Sequence, residues 1–90
     1  MKNLKVKNMI SNNGNEMPNQ FIINTPKATY FQSYKSIIVK QTAKKTILDR
    51  YYWNYSPTTS KYRNQFLNET TKETEQKIKT GVYTLADLNK

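Results

Sequence analysis

The spacing of the apolar residues changes at Ser56-Pro57, and this change constrains the fold more than any other feature of the sequence. Before it, short alternating or β-branched runs are separated by turn residues; after it, apolar residues recur at helical spacing. Strand, turn and strand follow one another with no helix between them, which favours hairpins and an antiparallel sheet. The sequence therefore predicts an α+β fold: a small antiparallel β-sheet of four or five strands, with one or two helices from the C-terminal half packed on it.

The first part of the chain contains the candidate strands. They are an edge strand within residues 1–10, blunted by lysines, and the runs at 20–25, 28–34, 36–41 and 46–53. The β-branched run at 36–41 predicts a strand that is buried on both faces. Asn13-Gly14 predicts a hairpin turn, and Pro18 is expected in the loop rather than in a strand. Residues 1–90 are expected to form a single small domain, in which residues 1–8 are either a flexible extension or the edge strand.

Two helices are predicted after the change of period. The first covers residues 57–67: it opens with an N-cap serine and a first-turn proline, and Tyr62 and Phe66 form its apolar face. The second begins at the capping-box sequence TTKE and is mostly polar. The remaining run, 82–88, fits either a final strand or a short helical turn that starts near Thr84, and we expect the turn.

The charge of the chain favours an anionic partner. Fifteen lysine and arginine residues against six acidic residues give a formal net charge of +9 in 90 residues. Such a charge attracts polyanions such as nucleic acid or a nucleoprotein, although solubility alone is another reason for it. No apolar run of the sequence approaches the length of a membrane span, and its start lacks the apolar core of a signal peptide. A cytoplasmic location without membrane contact is therefore expected.

Cysteine and histidine are absent from the sequence. Their absence excludes disulfides, thiolate nucleophiles, Cys/His zinc sites and histidine-based acid–base catalysis. The six acidic residues are scattered along the chain, which leaves little for a carboxylate metal site. We therefore predict a binding protein rather than an enzyme, with no catalytic residue, no metal site and no cofactor.

The start of the first predicted helix is the strongest candidate for a binding site. Its free N–H groups and positive dipole end suit a phosphate. The predicted anion-binding residues are Ser56, Thr58, Thr59, Ser60, Lys61 and Arg63, with Arg50, Lys44 and Lys45 as further cations. On an ideal helix Lys61 and Arg63 lie on either side of Tyr62, about 100° away each, so both are expected beside the buried stripe. The alternative is a capped surface helix with ordinary hydroxyl groups, because the glycine-rich loop of a nucleotide-binding motif is missing.

Aromatic residues form the second candidate site. Tyr51, Tyr52, Trp53 and Tyr55 are the predicted contact residues, and Tyr30, Phe31 and Tyr34 extend the set, interleaved with lysines that include Lys35 and Lys40. In sheet-based single-strand binders, aromatic rings stack on bases while cations neutralise phosphates. Adjacent residues of a strand point to opposite faces, so some rings of residues 51–53 are expected at the surface. The alternative is that the rings form the core, since the RNP consensus of such sheets is not present.

Two pieces of the sequence resemble a known type of domain. They are YFQSYKSIIVK at 30–40 and YYWNYSPTTSKYRNQFL at 51–67. They are similar to a small domain family of unknown function, found in bacteriophages and mobile elements, that pairs an "SY..I" strand with a "YY..S.TTSK" segment. This chain has Tyr62 where that family has histidine and Val39 where it favours alanine. The resemblance implies a phage or mobile-element origin and supplies no reaction.

Size, charge and the implied origin together predict a small basic accessory protein of a phage or mobile element, located in the cytoplasm of a host bacterial cell. It would bind nucleic acid or a host nucleoprotein complex, for example a CRISPR effector, in which case it would act as an anti-CRISPR inhibitor of host defence. The alternative is a non-enzymatic structural or assembly factor of a phage, a homo-oligomer whose exposed aromatic residues form the subunit contact.

Overall fold

A computed structural model describes residues 4–89 of the chain. Within these residues the chain forms six strands and two helices. In chain order they are β1 (Lys5–Ile10), β2 (Glu16–Asn24), β3 (Thr29–Ser33), β4 (Ser36–Gln41), β5 (Thr46–Asp49), α1 (Pro57–Leu67), α2 (Thr71–Lys79) and β6 (Tyr83–Ala86). The strands of the described residues form one sheet in the order β1-β2-β3-β4-β5-β6. The α+β class and the two C-terminal helices are thereby confirmed, while the sheet has more strands than the four or five predicted.

The sixth strand is the alternative that the sequence pattern left open for residues 82–88 but did not favour. β1 to β5 pair antiparallel, whereas β6 pairs parallel to β5 after the crossover made by α1 and α2. The expected helical turn near Thr84 is wrong, because Tyr83 is buried, Thr84 is exposed and Leu85 packs on the core. This alternation is that of a strand. The edge of β5 supplies the backbone partners that the segment needs, and a sequence pattern does not reveal such partners.

β5 ends at Asp49, four residues earlier than predicted. One carboxylate oxygen of this buried side chain accepts hydrogen bonds from the N–H groups of Tyr51 and Tyr52, at 3.0 and 2.9 Å. An aspartate turn of this kind offers the backbone an alternative to the sheet, so the chain leaves the sheet here. The other oxygen accepts the N–H of Leu88 at 2.8 Å and thereby fixes the segment after β6. The expectation that the tyrosines and Trp53 alternate across a strand is therefore wrong, since they lie in a turn.

The hydrophobic core lies between one face of the sheet and the helices. Its buried members are Met9, Phe31, Ile38, Val39, Leu48, Tyr62 and Tyr83. Phe31 of β3 stacks on Phe66 of α1 with the ring centroids 5.8 Å apart. An irregularity in the pairing of β3 with β4 has the form of a β-bulge, and it allows the consecutive residues Ile38 and Val39 both to join this core. The bulge, rather than a second covering layer, explains the adjacent buried residues of β4.

β1 is an edge strand of the sheet, as its lysines predicted. Of the predicted extension 1–8, the first three residues lie outside the described residues, and the chain belongs to β1 from Lys5 onwards. β2 begins at Glu16, so the expectation that Pro18 lies in a loop is wrong. Its pairing with β1 is irregular opposite this proline. Proline lacks an N–H group and is tolerated in a strand where the hydrogen-bond ladder is interrupted.

Both helices start with the predicted caps. The hydroxyl of Ser56 accepts the N–H of Thr59, and Thr70 with Glu73 forms a complete capping box. α1 covers the predicted residues and is capped by Asn68, whose φ of 56° is left-handed. Among residues 4–89 we find no helix with the length and apolar character needed to cross a membrane.

Glu69 joins α2 to β6 through hydrogen bonds of its carboxylate. Oε1 accepts from Lys77 Nζ at 2.7 Å and from the Tyr83 hydroxyl at 2.8 Å, and Oε2 accepts from the Thr74 hydroxyl. Only 4% of the Glu69 side chain is exposed. Burial by itself would raise the pKa of this carboxyl group, but the hydrogen bonds from Lys77, Thr74 and Tyr83 outweigh burial and hold the pKa below its ordinary value.

We expect this cluster to make the fold sensitive to acid. Because the pKa of Glu69 is lower in the folded chain, its stabilisation is complete above the unfolded value of about 4.3 and is lost as the pH falls through the folded pKa. In Glu69→Gln the free energy of unfolding should therefore decrease less between about pH 6 and about pH 3 than it does in wild type, as measured by urea denaturation. Glu75→Gln, which removes an exposed carboxylate of α2, should keep the wild-type acid dependence. Equal acid dependence in wild type and Glu69→Gln would contradict this role.

Candidate functional site

A groove lined by tyrosines opens at one end of the sheet. It lies between the turn that joins β3 to β4 and the segment that joins β5 to α1, and its volume is about 660 Å³. We call it the tyrosine groove and define it by its lining residues, which are Asn19, Phe21, Gln32, Ser33, Tyr34, Lys35, Ser36, Ile38, Tyr52, Tyr55 and Thr59. A concave site of this size with aromatic sides and a few polar groups is typical of ligand-binding sites.

Tyr34 projects from the β3–β4 turn in a backbone conformation that tyrosine rarely adopts. Its φ is 57°, in the left-handed region. Two hydrogen bonds hold the turn: the N–H of Tyr34 donates to Asn19 O at 2.7 Å, and the side-chain amide of Gln32 donates to Tyr34 O at 2.8 Å. Tyr34 is nevertheless 52% exposed. A large side chain that the backbone holds in an unfavourable region, and that the fold leaves uncovered, is well placed to contact a ligand.

Tyr52 and Tyr55 contribute the rings on the other side of the groove. They meet edge to face with their centroids 5.4 Å apart. The N–H of Tyr55 donates to Tyr52 O at 3.3 Å, which closes the turn that carries both residues. Tyr52 packs against the core, whereas Tyr55 is 70% exposed. The core therefore anchors the first ring, and the second ring extends from it towards solvent.

The hydroxyl groups of Ser56, Thr59 and Ser60 at the start of α1 form hydrogen bonds within the chain. Thr59 is buried, and its hydroxyl lies 3.0 Å from the hydroxyl of Ser33 on β3. Ser56 Oγ accepts the N–H of Thr59 and donates to the Thr59 hydroxyl, both at 3.2 Å. Ser60 donates to the side-chain oxygen of Asn54 at 2.6 Å. These predicted anion-binding groups attach the start of α1 to the sheet, and they form the polar base of the tyrosine groove at Ser33 and Thr59.

Arg63 is fully buried, which corrects the expectation that it stands beside the buried stripe facing a partner. Its guanidinium donates to the backbone oxygen of Trp53, to the side-chain oxygen of Asn64 at 2.8 Å and to the hydroxyl of Thr71 at 2.9 Å. It also lies 5.2 Å from the centre of the Trp53 ring. Burial lowers the pKa of Arg63, and two nearby glutamates oppose this effect. Arg63 therefore joins the turn before α1 to the first turn of α2 and is not accessible to a phosphate.

The exposed cations lie at both ends of the sheet. Lys35 lines the tyrosine groove, and Arg50, which follows β5, is exposed at the same end of the sheet. Lys44 and Lys45 are exposed in the β4–β5 turn. That turn lies at the opposite end of β4, about 17 Å from the groove for a strand of this length. The structure therefore does not bring the predicted cations together in one site.

The other predicted residues lie outside the groove. Thr58 and Lys61 are exposed on α1, with Lys61 Nζ 5.5 Å from the centre of the Tyr62 ring. Tyr51 is 65% exposed beside the groove but does not line it. Trp53 is half-buried and packs on the core. The predicted aromatic set is therefore divided between ligand-accessible and structural positions.

Of the predicted site residues, the groove gathers Tyr52, Tyr55 and Thr59. Tyr34 and Lys35 belong to the wider aromatic and basic set but were not among the selected site residues. Lys35 had a signal, because it lay between the predicted strands 28–34 and 36–41. Tyr34 was predicted as the last residue of the first of these strands, which is wrong, because β3 ends at Ser33 and Tyr34 lies in the turn. The apolar lining residues carried no separate signal, since they have the pattern of ordinary strand residues.

Comparison with described families identifies the domain. The family of unknown function DUF8033 matches residues 4–81. The chain belongs to this family. Every lining residue of the tyrosine groove falls inside the matched range, so the groove is built from the DUF8033 domain, whereas β6 lies beyond it. Membership of a family of unknown function is thereby confirmed, and DUF8033 supplies neither a reaction nor a partner. No curated protein and no solved structure matches the chain.

Proposed function

We propose that this protein binds nucleic acid: the tyrosine groove takes unpaired bases, and Lys35 contacts the adjoining phosphate. The observation that carries the proposal is that three tyrosines and a lysine line one groove on a chain of net charge +9. Base–aromatic stacking contributes about 1–3 kcal/mol per base and tolerates any base. The charge supplies attraction to phosphates that does not depend on sequence. The role is one of binding rather than catalysis.

A single strand suits this groove better than a duplex. Proteins usually read a duplex with a helix or a two-stranded ribbon that enters the major groove. Here α1 packs on the sheet through Phe66, and its buried Arg63 donates a hydrogen bond to Thr71 of α2. The helix therefore does not protrude. The exposed rings of Tyr34 and Tyr55 lie in a concave surface instead, where they reach only bases that have left the stack. The proposed ligand is therefore single-stranded DNA or RNA.

The biological setting is part of the same proposal. The resemblance to phage and mobile-element domains suggests a protein that acts on the nucleic acid of a bacterial host, in its cytoplasm. A nucleoprotein with an accessible single strand, such as a CRISPR effector with its guide RNA, would offer the ligand that the groove requires. A pull-down from bacterial lysate, with and without nuclease treatment, separates retention through nucleic acid from retention through protein.

Salt dependence tests the proposal with purified components. Fluorescence anisotropy with a labelled single-stranded oligonucleotide should give an affinity that falls steeply between about 50 and about 200 mM salt, because each neutralised phosphate releases counterions. Lys35→Ala should reduce the slope of log affinity against log salt by about 0.7, the value for one contact to a single strand. Lys79→Ala removes an exposed lysine from the end of α2 and is the matched control. Affinity that does not change with salt, or a preference for duplex of equal length, would contradict the proposal.

A further inference from the structure

In the part of the chain that the structure describes, the sheet has a second face that neither helix covers. Side chains alternate along a strand, so the neighbours of the core residues of β2 to β5 point away from the helices. The register places Val6, Ile23, Tyr30, Lys40 and Ile47 side by side in a row across β1 to β5. Ile37 of β4 lies in the next row, which continues through Gln32 and Phe21, on the border of the tyrosine groove, to Asn8 of β1. We call Val6, Ile23, Tyr30, Ile37 and Ile47 the bare face.

The packing of the helices and the shortest dimension of the protein both indicate that only one face of the sheet is covered. Phe66 of α1 and Ile78 of α2 pack against the core cluster, which lies on the opposite face. The shortest dimension of the protein is 22 Å, which fits two packed layers about 10 Å apart and leaves no place for a third. Val6 is 55% exposed, and the other members of the bare face are half-buried. Lys40 and Gln32 interrupt these rows, but five apolar side chains that stay partly exposed on one face of a small protein mark an interaction site.

The side chains of the bare face suit an apolar protein surface better than nucleic acid. Four of the five are β-branched and aliphatic, so they pack against other side chains but cannot stack on bases as aromatic rings do. Lys40 is the charged residue of the central row, and its Nζ lies 5.9 Å from the centre of the Tyr30 ring, within the face itself. The row therefore presents no pattern of charges for a charged partner to match.

We infer that a second copy of this chain covers the bare face. An apolar surface without a charge pattern is complementary to itself across a two-fold axis. The two long dimensions of the protein, 33 and 31 Å, give the whole of this side, polar residues included, a projected area of at most on the order of 1,000 Å², which leaves room for the about 800 Å² per partner of an interface of standard size. Two such sheets stack with their strands about 30° apart. The dimer adds a second apolar layer to the single core of this 90-residue domain.

Salt separates this contact from the proposed binding of nucleic acid. Each copy carries a net charge of +9, so two copies repel each other, and screening by salt strengthens the dimer. Binding of nucleic acid has the opposite dependence, because salt competes for the phosphates. The inferred dimer can therefore be tested independently of the function proposed for the groove.

Sedimentation equilibrium of the full chain over a wide concentration range tests the inference. We expect the mass of two 10.6 kDa chains, with a dissociation constant that falls as salt is raised. Ile23→Lys places a charge in the middle of the bare face and should raise the dissociation constant about tenfold or more. Gln76→Lys adds the same charge at an exposed position of α2 and should leave the dissociation constant unchanged.

Circular dichroism establishes that the variants are folded. If Ile23→Lys does not fold, Val6→Lys replaces it, because this edge position is already exposed. A wild-type chain that stays monomeric at every concentration and salt overturns the inference, whatever the variants do. A dimer that survives a folded bare-face variant, or that weakens as salt is raised, overturns it as well.

Discussion

Arg63→Ala is expected to lower the free energy of unfolding by about 3 kcal/mol or more, because it combines a cavity with the loss of several hydrogen bonds to part-buried acceptors. The guanidinium donates to Trp53, Asn64 and Thr71 and is completely buried. Its removal disconnects the turn before α1 from the start of α2. A small domain has only about 5–15 kcal/mol of stability in total, so the variant should unfold at a much lower urea concentration than wild type.

Lys61→Ala is the matched control for this prediction. Lys61 precedes Arg63 by two residues on the same helix but is exposed, and its loss should change stability by no more than about 0.5 kcal/mol. Arg63→Lys keeps the charge without the planar fork of donors and should remain clearly less stable than wild type. If Arg63→Ala kept wild-type stability and lost affinity for nucleic acid, Arg63 would belong to the binding site after all.

Tyr55→Ala is expected to weaken binding of a single-stranded oligonucleotide by roughly fivefold to a hundredfold. This range corresponds to the loss of one stacked base, about 1–3 kcal/mol. Tyr55 is 70% exposed, so the fold should tolerate the change with little loss of stability. Tyr55→Phe keeps the ring and should retain most of the affinity, which separates stacking from any contact of the hydroxyl group. Anisotropy titrations at one fixed salt concentration give the three affinities.

Tyr51→Ala provides the comparison within the same turn. Tyr51 is 65% exposed, close to the exposure of Tyr55, but it lies outside the tyrosine groove. Its loss should leave the affinity nearly unchanged. Equal losses in Tyr51→Ala and Tyr55→Ala would show that exposed tyrosine, and not the groove, determines binding. No loss in Tyr55→Ala would remove the groove from the binding site.

Features that depend on a few adjacent residues were predictable from the sequence. The cap at Ser56 and the capping box at Thr70 satisfy the first N–H groups of each helix with side chains at most three residues away. Such chemistry is contained in a short segment, so the pattern alone located both helix starts. The alternating strands from residue 20 to residue 41 were predictable for the same reason, because alternation is a local property.

Features that depend on distant partners were not predictable. β6 forms because the edge of β5 accepts it, and the segment after β6 is held by the hydrogen bond from the N–H of Leu88 to Asp49, 39 residues away. Lys61 and Arg63 are equivalent on a helical projection, and the packing of α2 and of the turn before α1 makes one exposed and the other buried. The tyrosine groove has the same origin, because its two turns are separated along the chain and meet only in the folded sheet.

The binding of nucleic acid in the tyrosine groove is tested most directly by NMR. Nitrogen-15-labelled protein is titrated with an unlabelled single-stranded oligonucleotide, and the amide shifts are mapped onto the structure. We predict the largest changes in the β3–β4 turn around Tyr34 and in the segment from Tyr52 to Thr59, with small changes in α2. Changes concentrated at Lys44 and Lys45, or on the bare face, would contradict the assignment of the groove as the binding site.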